Sequence, residues 1–229
     1  MKILRTLLAL TLALPAWAGR NFEAAAGSRL STETAVADVP MTFACFFRPN
    51  LLTTTGVLVG IFATNDDGHY LMFRGATAGD PLSASSNDSG VSAAEAVTGT
   101  SGITSGVWYH GAAVYAATND RRVFLDGVKS TNSTNVTPSG FVRTSVGAFM
   151  GAANSTFFDG DIAEVAIWNV ALTDDEIASL SRGLSPLKVR PASLVFYVPL
   201  WRDVFDYRAS LSITSNNTVP TETHPRRYR

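Results

Sequence analysis

The sequence predicts an all-β protein, an antiparallel two-sheet sandwich with one short helix near its C-terminal side, and three observations lead there. Ten or more short apolar runs lie close together, separated by intervals rich in Ser, Thr, Asn and Gly. Two hairpin signals stand in order, an Asn65-Asp66-Asp67-Gly68-His69 turn and an Asn119-Asp120 turn, each between apolar stretches. Finally, one stretch, Phe157 to Gly183, changes from the two-residue period of a strand to the spacing of a helix.

Residues 1–18 have the anatomy of a secretory signal peptide. Lys2 and Arg5 precede the apolar run Leu7 to Leu14, and Ala16-Trp17-Ala18 is a small-x-small cleavage site, so the mature chain is expected to begin at Gly19. The run is too short to span a bilayer, so no membrane span is expected. Removing Lys2 and Arg5 from the 18 basic residues leaves 16 against 19 acidic ones, a formal charge of −3, which gives nothing to recruit nucleic acid. With 46% hydrophobic and 16% charged residues, the remainder fits one sizeable domain with a nearly neutral surface. Cys45 is the only cysteine, so no intrachain disulfide can form. Flanked by apolar neighbours, it reads as a small buried hydrophobe.

Asn21 to Ala35 reads as an opening strand and turn, and Met41 to Arg48 as a core strand stopped by Pro49. Gly56 to Thr64 and Tyr70 to Ala76 are antiparallel neighbours across their Asn/Asp/Gly turn. Asp80 to Thr100 is small and polar and is expected to form short exposed strands or mobile loops. Gly106 to Tyr115 alternates, with Trp108, His110, Ala112 and Val114 on one face and Tyr109, Ala113 and Tyr115 on the other, and leads into Arg121 to Val128. Thr131 to Ser139 is polar loop, and Ser145 to Ala153 a glycine-bearing strand. Ile162 to Trp168 is apolar on both faces except for Glu164. Thr173 then caps a helix: its hydroxyl can accept the N–H of Glu176, whose carboxylate reaches back. Leu172 and Ile177 form a staple across the cap, and Gly183 ends the helix. Ser193 to Leu200 is a late strand expected to return to the N-terminal part. The domain is therefore placed at residues 19–207, with 208–229 as a weakly ordered polar tail.

Three stretches carry a family resemblance. Gly160, Ile162, Glu164-Val165, Ile167-Trp168-Asn169, Ala171-Leu172, Asp174 and Glu176-Ile177 resemble the closing strand and helix of laminin G-like jelly-roll domains of the concanavalin A-like lectin/glucanase superfamily. The Trp108-to-Gly127 hairpin and the Met41-to-Pro49 strand resemble that family's hairpin and aromatic strand, over about Asn21 to Leu200. The resemblance implies a concanavalin A-like jelly roll whose Trp108, Val123, Ile162 and Ile167 share one interior.

Relatives of this fold include glycoside hydrolases, which need two facing carboxylates. No alternating pair is present, and Asp161 and Glu164, three apart in a strand, should face opposite ways, so a non-enzyme is expected. No Gly-x-Ser-x-Gly elbow exists, and His69, His110 and His224 do not cluster in sequence. Hard cations take oxygen ligands from Asp- and Asn-rich loops, which makes Asn65, Asp66 and Asp67, with Asp159 and Asp161, the candidate calcium ligands; such residues also serve as simple turn caps. Sugar binding uses an aromatic face with a few polar groups, and Tyr109, Tyr115 and Trp201 are the candidate ligand-binding platforms. Asn-x-Ser/Thr triplets begin at Asn87, Asn132, Asn135, Asn154 and Asn216, and are glycosylation sites only in a eukaryotic secretory host.

Together these features predict an exported binding or adhesion module, lectin-like, secreted or periplasmic, whose partner is a glycan or a surface protein. The alternative is a virion protein, a capsid decoration or tail-associated part contacting capsid or tail proteins, because chains ending like Gly183 to Leu200 resemble phage and prophage products. A glycoside hydrolase ranks third. A homo-oligomer fits either of the first two.

Overall fold

The computed structural model describes residues 19–89, 92–99, 102–201 and 203–220; the expected signal peptide and His224 lie outside them. In chain order the strands are β1 (Arg20–Phe22), β2 (Arg29–Thr32), β3 (Met41–Pro49), β4 (Thr55–Phe62), β5 (Gly68–Arg74), β6 (Leu82–Asp88), β7 (Ser92–Val97), β8 (Tyr109–Ala117), β9 (Asp120–Leu125), β10 (Val128–Asn132), β11 (Arg143–Val146), β12 (Phe149–Met150), β13 (Asn154–Ser155), β14 (Gly160–Trp168), β15 (Leu194–Val198), β16 (Thr214–Asn216) and β17 (Val219–Pro220). One α-helix, α1 (Asp174–Ser181), lies between β14 and β15. Two antiparallel sheets face each other as a jelly-roll sandwich. The first runs β10-β9-β8-β3-β14-β1-β17, with β15 also on β14; the second runs β16-β2-β11-β4-β5-β6-β7.

The interior is one apolar cluster fed by alternate residues of both sheets. Phe43, Cys45, Phe47, Val123, Ile162, Val165 and Ile167 come from the first, and Leu30, Ile61, Leu71, Phe73, Leu82 and Val146 from the second. Burial drives the Cys45 thiol pKa upward, so it stays protonated and packs as a hydrophobe. Tyr115 is also inside. Its hydroxyl lies 2.9 Å from the backbone carbonyls of Tyr70 and Ser85, tying one sheet to the other.

The outer face of the first sheet is apolar as well. Ala112, Val114, Phe124, Ala166 and Trp168 form a second cluster there with Ile177 and Leu180 of α1. The capping box forms as read: Thr173 N–H donates to Glu176 Oε2 at 2.8 Å and Glu176 N–H donates to Thr173 Oγ1 at 3.3 Å. An eight-residue helix is marginal alone, and burying Ile177 and Leu180 contributes roughly 1.5–3 kcal/mol each toward holding it.

Five expectations change. Trp108 does not join Val123, Ile162 and Ile167; it is half-buried on the outer side, under the Arg48 guanidinium, 5.4 Å from its ring centroid. It also closes over Gly19, where a Cβ would sit 3.0 Å from Trp108 Cη2. The second correction concerns β14, which has a bulge between Ala163 and Ala166, with Glu164 at φ 55°. One extra residue reverses the alternation, so Ile162 and Val165 point inward together. Asp161, held by Arg48, and Glu164, held by the Tyr197 hydroxyl at 2.7 Å, are thereby brought to the same outer side rather than opposed. Third, Asp80 to Thr100 contributes two paired strands, β6 and β7, because Leu82 and Ala84 reach the core even though their neighbours are serines. Fourth, β15 pairs with β14, not with the N-terminal strand. Last, residues 208–220 are part of the sandwich: β16 pairs with β2 and β17 with β1. The buried Asp206 carboxylate anchors that stretch by accepting the N–H groups of Tyr197, Arg208, Ala209 and Leu211.

The two margins of the sandwich differ. At one, the chain crosses between sheets twice, from β1 to β2 and from β16 to β17, and the crossings are stitched together. Ser28 Oγ donates to Asn217 O at 2.8 Å, Asn217 Nδ2 to Ala26 O at 2.8 Å and Arg20 Nε to Thr218 Oγ1 at 2.6 Å. At the other margin the edge strands β7 and β10 approach one another without a direct chain connection.

Candidate functional site

A cleft of about 420 Å³ opens at the β7–β10 margin, lined by Thr98, Gly99, Tyr109, Leu125, Asp126, Val128 and Ser130. Each wall follows from local structure. Tyr109 starts β8 on the inward parity, but at the sheet's end, so its ring is only half-buried; it leans on Phe47 with centroids 5.9 Å apart. The Thr104 N–H donates to its hydroxyl at 2.9 Å, which fixes the ring's orientation. Asp126, at φ 48°, takes a left-handed conformation together with Gly127 in the tight β9–β10 turn. Its Oδ1 accepts the His110 N–H at 2.8 Å, while Oδ2 carries no hydrogen bond among the described residues. Thr98 Oγ1 accepts the Leu82 N–H at 3.0 Å, leaving its own proton available. Val128, at 73% exposure, and the half-buried Leu125 supply apolar wall.

An aromatic ring with flanking aliphatic surface, two hydroxyls and one carboxylate suits a small polar ligand with an apolar face, in a cleft of ordinary ligand size. Asp126 is the only carboxylate among the described lining residues, whereas hydrolysis of a glycosidic bond takes two.

The remaining expected site residues fall elsewhere. Tyr115, on the same strand face as Tyr109, lies six residues deeper, at 1% exposure, and presents no surface for stacking. Trp201 follows β15, half-buried, and does not line the cleft. The calcium candidates are engaged by protein donors. Asp66 Oδ1 accepts the Ala152 N–H at 2.6 Å, and Asp67 accepts the N–H groups of Ser89 and Ser139 at 2.7 and 3.1 Å. Asp159 Oδ2 accepts the Ala24 N–H at 3.3 Å, Asp161 is clasped by Arg48 and Asn21, and Asn65 is exposed in the turn. Donors aimed at those oxygens compete with a cation, and among the described residues no three His, Cys, Asp or Glu side chains gather as a ligand set.

Sequence reasoning missed two features. Arg121 is 1% exposed with no carboxylate partner among the described residues. Its Nε donates to Ser86 Oγ (3.1 Å), Nη1 to Asn132 Oδ1 (2.7 Å) and Thr134 O (2.8 Å), and Nη2 to Thr118 O (3.1 Å). Ser86, already an acceptor, donates onward to His69 Nδ1 at 2.8 Å, which places the imidazole proton on Nε2. Burial and the Arg121 charge lower the His69 pKa to about 3. The second is an exposed ring pair, Phe205 and Tyr207, 5.2 Å apart at 89°; the alternation of acid and aromatic in Asp203-Val204-Phe205-Asp206-Tyr207 was its signal.

Comparison with known proteins adds to this geometry. The "Concanavalin A-like lectin/glucanases superfamily" model matches residues 23–178, and among curated proteins none matches the chain. Among solved structures, the native heptameric SAP-like pentraxin of Limulus polyphemus aligns with a TM-score of 0.65 at 14% identity, over 93% of this chain and 98% of that one. A putative carbohydrate binding protein from Bacteroides ovatus aligns with a TM-score of 0.64 at 17% identity, over 92% and 61%. Tailspike protein 2 of the Escherichia coli O157:H7 bacteriophage CAB120 aligns with a TM-score of 0.61 at 15% identity, over 81% of this chain and 27% of that one. At such identities the structural likeness concerns the fold, while the matched sequence model gives the membership: this chain is a laminin G-like member of the concanavalin A-like lectin/glucanases superfamily.

Proposed function

We propose that the protein is an exported, non-catalytic carbohydrate-binding module whose glycan site is the Tyr109 cleft. The observation that carries the reading is the composition of that cleft: an oriented, half-buried tyrosine ring beside Leu125 and Val128, with hydrogen-bonding groups from Thr98, Ser130 and Asp126. The apolar face of a sugar ring stacks on the tyrosine while its hydroxyls meet the Asp126 carboxylate and the side-chain hydroxyls. The Bacteroides ovatus neighbour, described as a putative carbohydrate binding protein, points the same way. Export rests on the leader-like residues 1–18.

Titration calorimetry against array-selected glycans tests this. Tyr109→Ala and Asp126→Asn should each weaken binding at least tenfold without unfolding the protein. Unchanged affinity in both variants, or steady hydrolysis of the bound glycan, overturns the reading. A second reading, a part of a virus particle, is favoured by the Gly183-to-Leu200 segment and by the tailspike neighbour; mass spectrometry of purified particles decides it.

A further inference from the structure

Strand β10 is the last strand of the first sheet and pairs on one side only, with β9. Because side chains alternate along it, Val128 and Ser130 face the Tyr109 cleft, while Lys129 and Thr131 face the opposite way. There they meet a second cleft, about 730 Å³ and more open, formed with the β8–β9 turn and the start of α1.

This second cleft has a different chemistry. Its described lining residues all carry polar or charged side chains, with their carbon stems between the polar heads, and its charges cancel in pairs: Arg122 donates to Asp120 at 2.9 and 2.5 Å, and Lys129 to Asp174. Asn132 is oriented from behind. Its Oδ1 accepts both the buried Arg121 Nη1 (2.7 Å) and the Thr134 N–H (2.9 Å), so its amide N–H groups are turned away from those donors and are held ready to donate. Balanced charge with fixed amide and hydroxyl groups selects a ligand with many hydroxyls and no net charge. An anion would lack a surplus cation, and an apolar ligand would leave these groups unpaired.

We propose that the glycan held in the Tyr109 cleft is an uncharged polysaccharide chain that passes over the free edge of β10, so that units further along are held in the Asp120–Arg122–Asn132 cleft. This rests on the carbohydrate-binding reading above and narrows it to a substrate class. Two linked sites also make affinity depend on chain length, because the second contact is made at high effective concentration.

The test is calorimetry of the full protein with neutral oligosaccharides of one to eight units, from β-1,4-glucan, α-1,4-glucan and mannan series, and with heparin fragments as an anionic arm. Affinity for a bound neutral series should rise at least tenfold once the chain is long enough to occupy both clefts. Asp120→Ala/Arg122→Ala and Lys129→Ala/Asp174→Ala each remove a balanced, partly exposed pair at small cost to folding, checked by thermal unfolding. Each should abolish the gain for long chains and leave short chains unaffected, whereas Tyr109→Ala weakens both. Equal affinity for long and short chains, no effect of either double variant, or binding confined to heparin overturns the two-cleft proposal. If Tyr109→Ala also leaves short-chain binding intact, the carbohydrate-binding reading fails with it.

Discussion

The two margins of the sandwich solve the same problem in opposite ways. Where β1 turns into β2 and β16 into β17, the chain itself bridges the sheets, and side chains such as Ser28 and Arg20 sew the crossings to each other. Where β7 meets β10 there is no such bridge. The sheets are held by groups set back from the edge, namely Tyr115 on the Tyr70 and Ser85 carbonyls and Arg121 on Ser86, with the His69 ring packed against Tyr115, which leaves a gap in front. The laced crossings are closed by their own hydrogen bonds, whereas a margin fastened from behind stays open in front of its ties.

Four measurements sharpen or break that contrast. The largest effect is expected at the laced margin from Phe22→Ala. Phe22 is fully buried at the end of β1, packed so closely against Gly147 that a Cβ there would lie 2.3 Å from its ring, and urea denaturation should show a loss of about 3–5 kcal/mol. A loss under 1 kcal/mol would mean that the crossings are not integral to the core.

Behind the open margin the effect should depend on pH. His69 is neutral when folded, with its pKa lowered from 6.5 to about 3, so the unfolded chain takes up the proton first as pH falls. The contribution is complete above pH 6.5 and declines below it, by about 2 kcal/mol between pH 6.5 and 5. Unfolding of His69→Gln should show a correspondingly shallower decline over that window, and parallel curves would remove His69 from the fastening.

At the laced margin again, Ser28→Ala should cost about 1 kcal/mol, since it strips one hydrogen bond from the Asn217 carbonyl. The smallest stability effect belongs to the open margin: Val128→Ser, on a side chain 73% exposed, should change unfolding by less than about 0.5 kcal/mol. Glycan affinity should fall in the same variant, and a fall in stability without one in binding would reverse the assignment of that edge.

The parts legible in the sequence are those whose causes are local. The Thr173–Glu176 cap, the Asn65-to-His69 turn and the β8–β9 hairpin each depend on residues a few positions apart, and they form as read. Strand β6 was obscure because Ser83, Ser85 and Ser86 carry no β signal of their own; pairing with β5 makes it a strand, and β7 forms by pairing with β6 in turn. Tyr109 could be named from residue type, but Tyr115 on the same face could not be separated from it, since alternation gives a side and not a distance from the rim. The second cleft was invisible for a related reason: Asp120, Lys129 and Asp174 meet only after the helix has docked.

Glu164 has a consequence for how this chain tolerates change. Because the extra residue there switches which neighbours lie inside, Ile162 and Trp168 belong to different packing systems although an even count separates them. Deleting that single glutamate would restore plain alternation, with Ile162, Val165 and Ile167 still inside and Ala166 and Trp168 still beneath the helix, whereas losing a residue beyond the bulge would exchange the two sets. A one-codon loss at this place should therefore be milder than the same loss at Ala166, which would turn Ile167 out and Trp168 in.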